Sequence, residues 1–266
     1  MRLLLGLLLS CHALLALAQP PDPFPEAASA YRIEIDGKPV WERQASRRLP
    51  PASLTKLMTA LLVLDGYRPQ AVATISRTAA TATGSRLGLR SGDTFRIEDL
   101  LAATLLHSAN DACRALAEHV AGDEARFVRR MNRRARELGM KDTRFANACG
   151  HDAPNHYSSA RDLALLAGEL LKQRALLELT ARQHGKISAL NAPREYRFTN
   201  KNALIGRYRG ALGLKTGYTS KAGKCLIAYA ERDHVRVLLV MLHGGERWWD
   251  AADILDIAFD HARQLR

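Results

Sequence analysis

The chain has 266 residues, 47% of them hydrophobic, enough for a substantial core in one large or two modest domains. Charge is mixed, glycine and proline are scattered, and no low-complexity tract or fixed-period repeat appears, which excludes disordered and solenoid classes. The formal net charge of +12 raises the question of nucleic acid, but the basic residues are dispersed and no aromatics interleave with them for base stacking, so nucleic acid is set aside.

The N-terminus reads as a signal peptide over residues 1–18. Arg2 precedes an apolar run, and small residues at Ala16 and Ala18 favour cleavage after Ala18. The run is short and carries His12, which argues against a permanent membrane span. Leu9-Ser10-Cys11 loosely resembles a lipoprotein cleavage site and ranks below simple secretion. An exported chain of this charge has anionic envelope surfaces as a partner for peripheral contact, although a charged helix face also serves solubility. Residues 19–29, rich in proline, are expected to be a linker, and 30–266 a single domain.

Residues 31–35 alternate apolar and polar, Asp36-Gly37 turns the chain, and Val40-Trp41 resumes: a hairpin. Pro50-Pro51-Ala52 stops the chain before Ser53, and 54–64 is helical in period. Helices are predicted over 97–106 and 111–120, meeting near Ser108, and over 124–138, ended by Gly139. Another spans 159–171 with Ser159 as N-cap and Asp162 in its first turn. Strand-like runs at 211–216, 225–231 and 235–243 follow, and a helix over 248–263 packs on that sheet. The class is therefore α+β, an antiparallel sheet built from both chain ends, flanked by helices, with a helical lobe inserted between. Without the signal, Cys113, Cys149 and Cys225 allow one disulfide at most. Cys113 and Cys225 lie in apolar runs, where buried small hydrophobes are the default.

Three short motifs carry chemistry together. In Ser53-Leu54-Thr55-Lys56 the hydroxyl and amine lie one helical turn apart, and a serine needs an adjacent base to become a nucleophile. A lysine can be that base if its amine is neutral, which burial and a nearby cation such as Lys215 favour. Ser108-Ala109-Asn110 falls at a bend between helices: Ser108 suits proton relay, and Asn110 suits holding an amide or orienting Lys56. Lys215-Thr216-Gly217 enters a strand. A cation and hydroxyl suit a terminal carboxylate, and Gly217 lets a substrate backbone approach. Each alone reads as an exposed turn, a helix cap or a strand end.

In this order, with an export signal, the chain resembles the low-molecular-mass penicillin-binding proteins, the D-alanyl-D-alanine carboxypeptidase and endopeptidase group, from about Tyr31 to His243. Residues 52–60, 84–89, 98–101 and 108–112 carry the likeness, as do 138–147 and 215–219. The resemblance implies a β-lactamase/transpeptidase-like fold and a serine peptidase acting on peptidoglycan stem peptides and acylated by β-lactams. It implies Ser53 as nucleophile, Lys56 as general base, Ser108 and Asn110 as relay and positioning groups, and Lys215 and Thr216 as the carboxylate site. Gly217 would line the substrate strand, and the N–H groups of Ser53 and Tyr218 would form the oxyanion hole. Arg247 is the candidate for the arginine that assists carboxylate binding in the family. No metal or organic cofactor is implied.

Two departures stand out. One helix follows His243, with no β-rich second domain, which leaves carboxypeptidase and endopeptidase both open. Cys149-Gly150-His151 stands where the family usually has Gly-Leu, and His151 and His156 are expected to be solvent-facing loop histidines rather than metal ligands. A class A β-lactamase is the nearest rival. It requires a glutamate in an E-x-x-L-N run, and Ile187 stands three before the only Leu-Asn, Leu190-Asn191. A non-catalytic sensor of β-lactams or peptidoglycan is the other alternative, and it has no need of the intact Ser53, Lys56 and Lys215.

Overall fold

Two strands of continuous apolar sequence decide the architecture. A strand half-exposed on one face alternates, whereas Cys225–Ala230 and Val237–Leu242 are apolar at nearly every position, so both faces must be covered. The computed structural model describes residues 22–265 apart from Tyr67 and Pro69. The signal segment expected over 1–18, with its cleavage and lipidation sites, lies outside the described residues.

In chain order the elements begin with β1 (Ala28–Ile35), β2 (Lys38–Arg43) and a 3₁₀ turn, Ala52–Thr55, that runs directly into α1 (Lys56–Asp65). Next come β3 (Val72–Thr74), α2 (Arg77–Ala80), β4 (Thr94–Arg96) and α3 (Ile97–Ala102), then a π-helical stretch, Ala103–His107. The helical lobe continues with α4 (Asn110–Ala121), α5 (Glu124–Glu137), α6 (Ala160–Leu170) and α7 (Arg174–Thr180). The chain closes with β5 (His184–Ser188), β6 (Glu195–Thr199), β7 (Ala211–Thr219), β8 (Gly223–Arg232), β9 (Val235–Gly244) and α8 (Arg247–Gln264).

The main sheet has the antiparallel order β2-β1-β9-β8-β7, so the two chain ends meet at the β1–β9 pair and β7 is an edge. Successive residues of β8 and β9 serve opposite cores. Ile227, Leu238, Val240 and Leu242 pack with the helical lobe, while Leu226, Ala228, Leu239 and Met241 pack with Ile254, Leu255 and Ala258 of α8. The predicted antiparallel sheet, inserted lobe and terminal helix are all present. Ser159 caps α6, its hydroxyl accepting from the Asp162 amide at 3.2 Å.

Three expectations need correction. The linker does not extend to residue 29: β1 begins at Ala28, and Phe24 packs edge-on against Tyr31 and Trp41, because an aromatic this close to an open sheet face is better buried than solvated. Cys113 is not a plain buried hydrophobe but is bonded to Cys149, while Cys225 is free and buried, its thiol pushed up to about 11 by burial. His156 does not face solvent. It is buried, its Nδ1 accepting from the Ala146 amide and its Nε2 meeting the Thr55 hydroxyl, both at 2.9 Å. Burial lowers its pKa to about 4, so the ring is neutral at ordinary pH, with the proton on Nε2.

Candidate active site

The turn before α1 places Ser53. Ala52 adopts a left-handed φ of 47°, and its carbonyl lies against Gly150, where a Cβ would come within 1.9 Å of the Ala52 oxygen. Gly150 itself has φ 87°, so both backbone and space demand glycine there. From this turn Ser53 faces outward while Lys56, one turn on, points inward and is fully buried. The Lys56 Nζ donates to the Ser53 Oγ at 2.9 Å and to the Cys149 carbonyl at 2.5 Å. Burial, and then the charge of Lys201, bring the Lys56 amine down to about 7. An amine that is half neutral near pH 7 can take a proton from the hydroxyl it touches.

A second buried amine lies beside the first, and a third cation acts on both. Lys215 is fully buried too, and its own amine is held well below the usual lysine range by burial, then by Lys56, Lys201 and Arg247. Lys201 adds its charge to the lowering of both amines, after burial. Its Nζ donates to the Ser85 hydroxyl at 2.6 Å, and that hydroxyl donates to the His107 carbonyl at 2.9 Å. No motif marks Lys201 in the sequence. It sits in a loop whose backbone is tied to the π-helical stretch by the Lys201 amide and the Leu106 carbonyl.

The second motif stands on the opposite side of Ser53. Ser108, with φ 63°, is the hinge between the π-helical stretch and α4. Asp111 accepts from the amides of Leu87, Gly88 and Leu89, which locks the loop carrying Gly84 and Ser85 onto the start of α4. Asn110 is nearly buried, its Nδ2 donating to the Thr83 carbonyl at 2.5 Å while its Oδ1 has no partner among the described residues.

The third motif forms the other wall. Gly217 runs so close to the nucleophile turn that a Cβ there would lie 3.1 Å from the Ser53 nitrogen and 3.0 Å from the Ala52 Cβ. Lys215 lies beneath, its Nζ donating to the Thr216 carbonyl, and Tyr218 is exposed at the rim. Arg247, at the start of α8, donates through Nη1 to the Gly217 carbonyl at 2.9 Å and the Cys225 carbonyl at 3.2 Å, with its guanidinium over the Trp248 ring.

Ser53, Ser108, Thr216, Gly217, Tyr218 and Arg247 all line one cleft of about 550 Å³, together with Ser85 and Lys201. Lys56 and Lys215 sit below its floor. Asn110 lines the neighbouring hollow of about 250 Å³ with Cys149 and His151, and meets the main cleft through Gly84 and through its amide, which donates to the Ser85 carbonyl. Larger hollows lie between α1 and α5 and beside β5 and β6, but neither holds a hydroxyl paired with a buried amine, so chemistry rather than size selects the site.

The sheet order, the inserted lobe and this cleft define the β-lactamase/transpeptidase-like class. The chain belongs to the D-alanyl-D-alanine carboxypeptidase family, whose model matches residues 18–245. It is 37% identical over 243 residues to the D-alanyl-D-alanine carboxypeptidase DacF of Bacillus subtilis, an alignment covering 88% of this chain and 62% of that protein. It spans about half the length of several other carboxypeptidases that it matches. Among solved structures it is similar to a D-alanyl-D-alanine carboxypeptidase of Mycobacterium tuberculosis, with TM-score 0.84 and 28% identity over 92% of this chain and 95% of that one. It is also similar to the ampicillin-bound penicillin-binding protein D2 of Listeria monocytogenes, with TM-score 0.77 and 30% identity over 88% and 98% of the two chains.

Proposed function

We propose that this chain is a serine D-alanyl-D-alanine peptidase that acts on peptidoglycan stem peptides, as carboxypeptidase or endopeptidase, through an acyl-enzyme on Ser53. The observation that carries the reading is the 2.9 Å contact between the Ser53 hydroxyl and an amine brought to about 7. The Ser53 oxygen attacks the carbonyl of the D-alanyl bond and its proton passes to Lys56. The amides of Ser53 and Tyr218 hold the oxyanion, a role supported by the close passage of β7 along the nucleophile turn. The C–N bond then breaks, the leaving amine takes the proton back through Lys56 and Ser108, and water releases the acyl group. Asn110 positions the substrate amide or the base.

Substrate would add along β7, whose position at the sheet edge leaves backbone groups open to pairing. Its terminal carboxylate would meet Thr216 and Arg247, with Lys215 behind. β-Lactams would enter the same cleft and acylate Ser53. Export follows from the pattern of residues 1–18, and the Cys113–Cys149 bond suits an oxidising compartment. Exposed arginines such as Arg129 would add weak contact with anionic envelope polymers.

The test is labelling with a fluorescent penicillin. Wild type is expected to gain a stable adduct that Ser53→Ala lacks, and absence of label in both would defeat the reading. Digestion of purified sacculi then separates the two bonds: loss of muropeptide dimers marks an endopeptidase, shortening of pentapeptides a carboxypeptidase.

A further inference from the structure

The Cys149 carbonyl accepts from the Lys56 amine, and the mechanism proposed above leaves unexplained why a disulfide ends at that residue. We infer that the Cys113–Cys149 bond is a positioning device for the base, holding the Cys149 carbonyl against the Lys56 amine; this rests on Lys56 acting as proposed above.

Cys113 lies about one turn into α4, the helix that Asn110 begins, and Cys149 lies 36 residues on in the loop that crosses beneath Ser53. Both are buried. The bond therefore fastens the loop carrying the acceptor to the helix carrying the second motif. A neutral amine has two hydrogens and one lone pair. When one hydrogen goes to the Cys149 oxygen at 2.5 Å, rotation about the terminal C–N bond is restricted, and the lone pair is left to face the Ser53 hydroxyl.

Other ties hold the neighbours of Cys149. The Ala148 carbonyl accepts from Thr59 and its amide donates to Glu124, while the Asn147 Oδ1 collects the amides of residues 149–151, that of Cys149 only at 3.2 Å. The bond to Cys113 is the side-chain tether at residue 149 itself. Without it the loop gains freedom at the one carbonyl that must not move, and water gains a path to a buried amine. The amine would then regain charge more readily, and less of it would be competent near neutral pH.

The test compares oxidised wild type with Cys113→Ser/Cys149→Ser, measuring the second-order rate of Ser53 acylation by fluorescent penicillin across pH 5–10. We expect the double variant to acylate about tenfold or more slowly near pH 7, with the acidic limb of its profile moved to higher pH. A bond that served stability alone would lower the melting temperature and leave rate and limb in place, and that outcome overturns the inference. Should the variant not fold, wild type is assayed under a dithiol reductant, with thiol alkylation and intact mass confirming that the bond is open. Slower acylation with native near-UV circular dichroism supports the inference; an unchanged rate, or loss of rate only together with that signal, overturns it. If the oxidised wild type itself took no label, the proposed function would fall and this inference with it.

Discussion

The two walls of the cleft are built by opposite means. The helical wall buries its polar groups: Lys56 is fully enclosed, Asp111 is spent on four amides, and a disulfide closes the rear. The sheet wall offers an edge backbone, a glycine at the narrowest point and an exposed tyrosine, with its own lysine sunk beneath the surface. Proton chemistry needs water kept away from the base, whereas recognition of a peptide needs open backbone groups, so each wall is suited to one task. Changes to the first should therefore act on the rate of the bond-making step, and changes to the second on which substrates bind.

Ser53→Ala is the largest test of the helical wall and should remove acylation by at least about a thousandfold. Lys56→Met should follow with a loss of about a hundred- to ten-thousandfold, measured as the rate of penicillin labelling. The wild-type rate itself should rise with pH through about 7, as Lys56 sheds its proton. The same depressed amine sets a stability trend. Its folded-state value lies below the unfolded one, so the penalty of burying charge is full below about pH 7 and fades towards the unfolded value of 10.5. Lys56→Met should accordingly be at least as stable as wild type at pH 6 by chemical denaturation; a large loss of stability would show that the amine supports the fold.

Gly150→Ala tests the seam between the walls, and a cost of about 2–4 kcal/mol is expected from a left-handed φ together with a backbone clash. On the sheet wall, Arg247→Ala should raise KM about tenfold for peptides ending in a free carboxylate and much less for a neutral ester analogue. An equal effect on both would show that Arg247 serves only to hold the Gly217 and Cys225 carbonyls. The smallest effect belongs to Lys201→Met, which should move the acidic limb of acylation upward by a fraction of a pH unit, because burial is the larger cause of the low Lys56 value.

Much of this was legible beforehand where local patterns suffice. Apolar periodicity marked α4, α5, α6 and α8, the Asp36-Gly37 turn marked the β1–β2 hairpin, and the motif spacing marked Ser53, Lys56, Ser108 and Lys215. The β5–β6 hairpin was not legible, because only Ile187 and Phe198 of its strands are buried and most of its other residues are polar or charged. His156 read as a loop residue because nothing in its neighbourhood announces that the Thr55 hydroxyl and the Ala146 amide converge on it from elsewhere.

By itself the sequence determined the order of the first hairpin, the larger helices and the last three strands, the two-sided burial of β8 and β9, and the pairing of a hydroxyl with an amine one turn apart, since each depends on residues close in the chain. Tertiary structure alone decided that the charge of Lys201 acts on the buried Lys56, that Cys113 meets Cys149, and that Arg247 reaches Gly217. Those outcomes depend on distances between segments far apart in the chain. Charge and burial act through space, and short-range sequence patterns carry no measure of it.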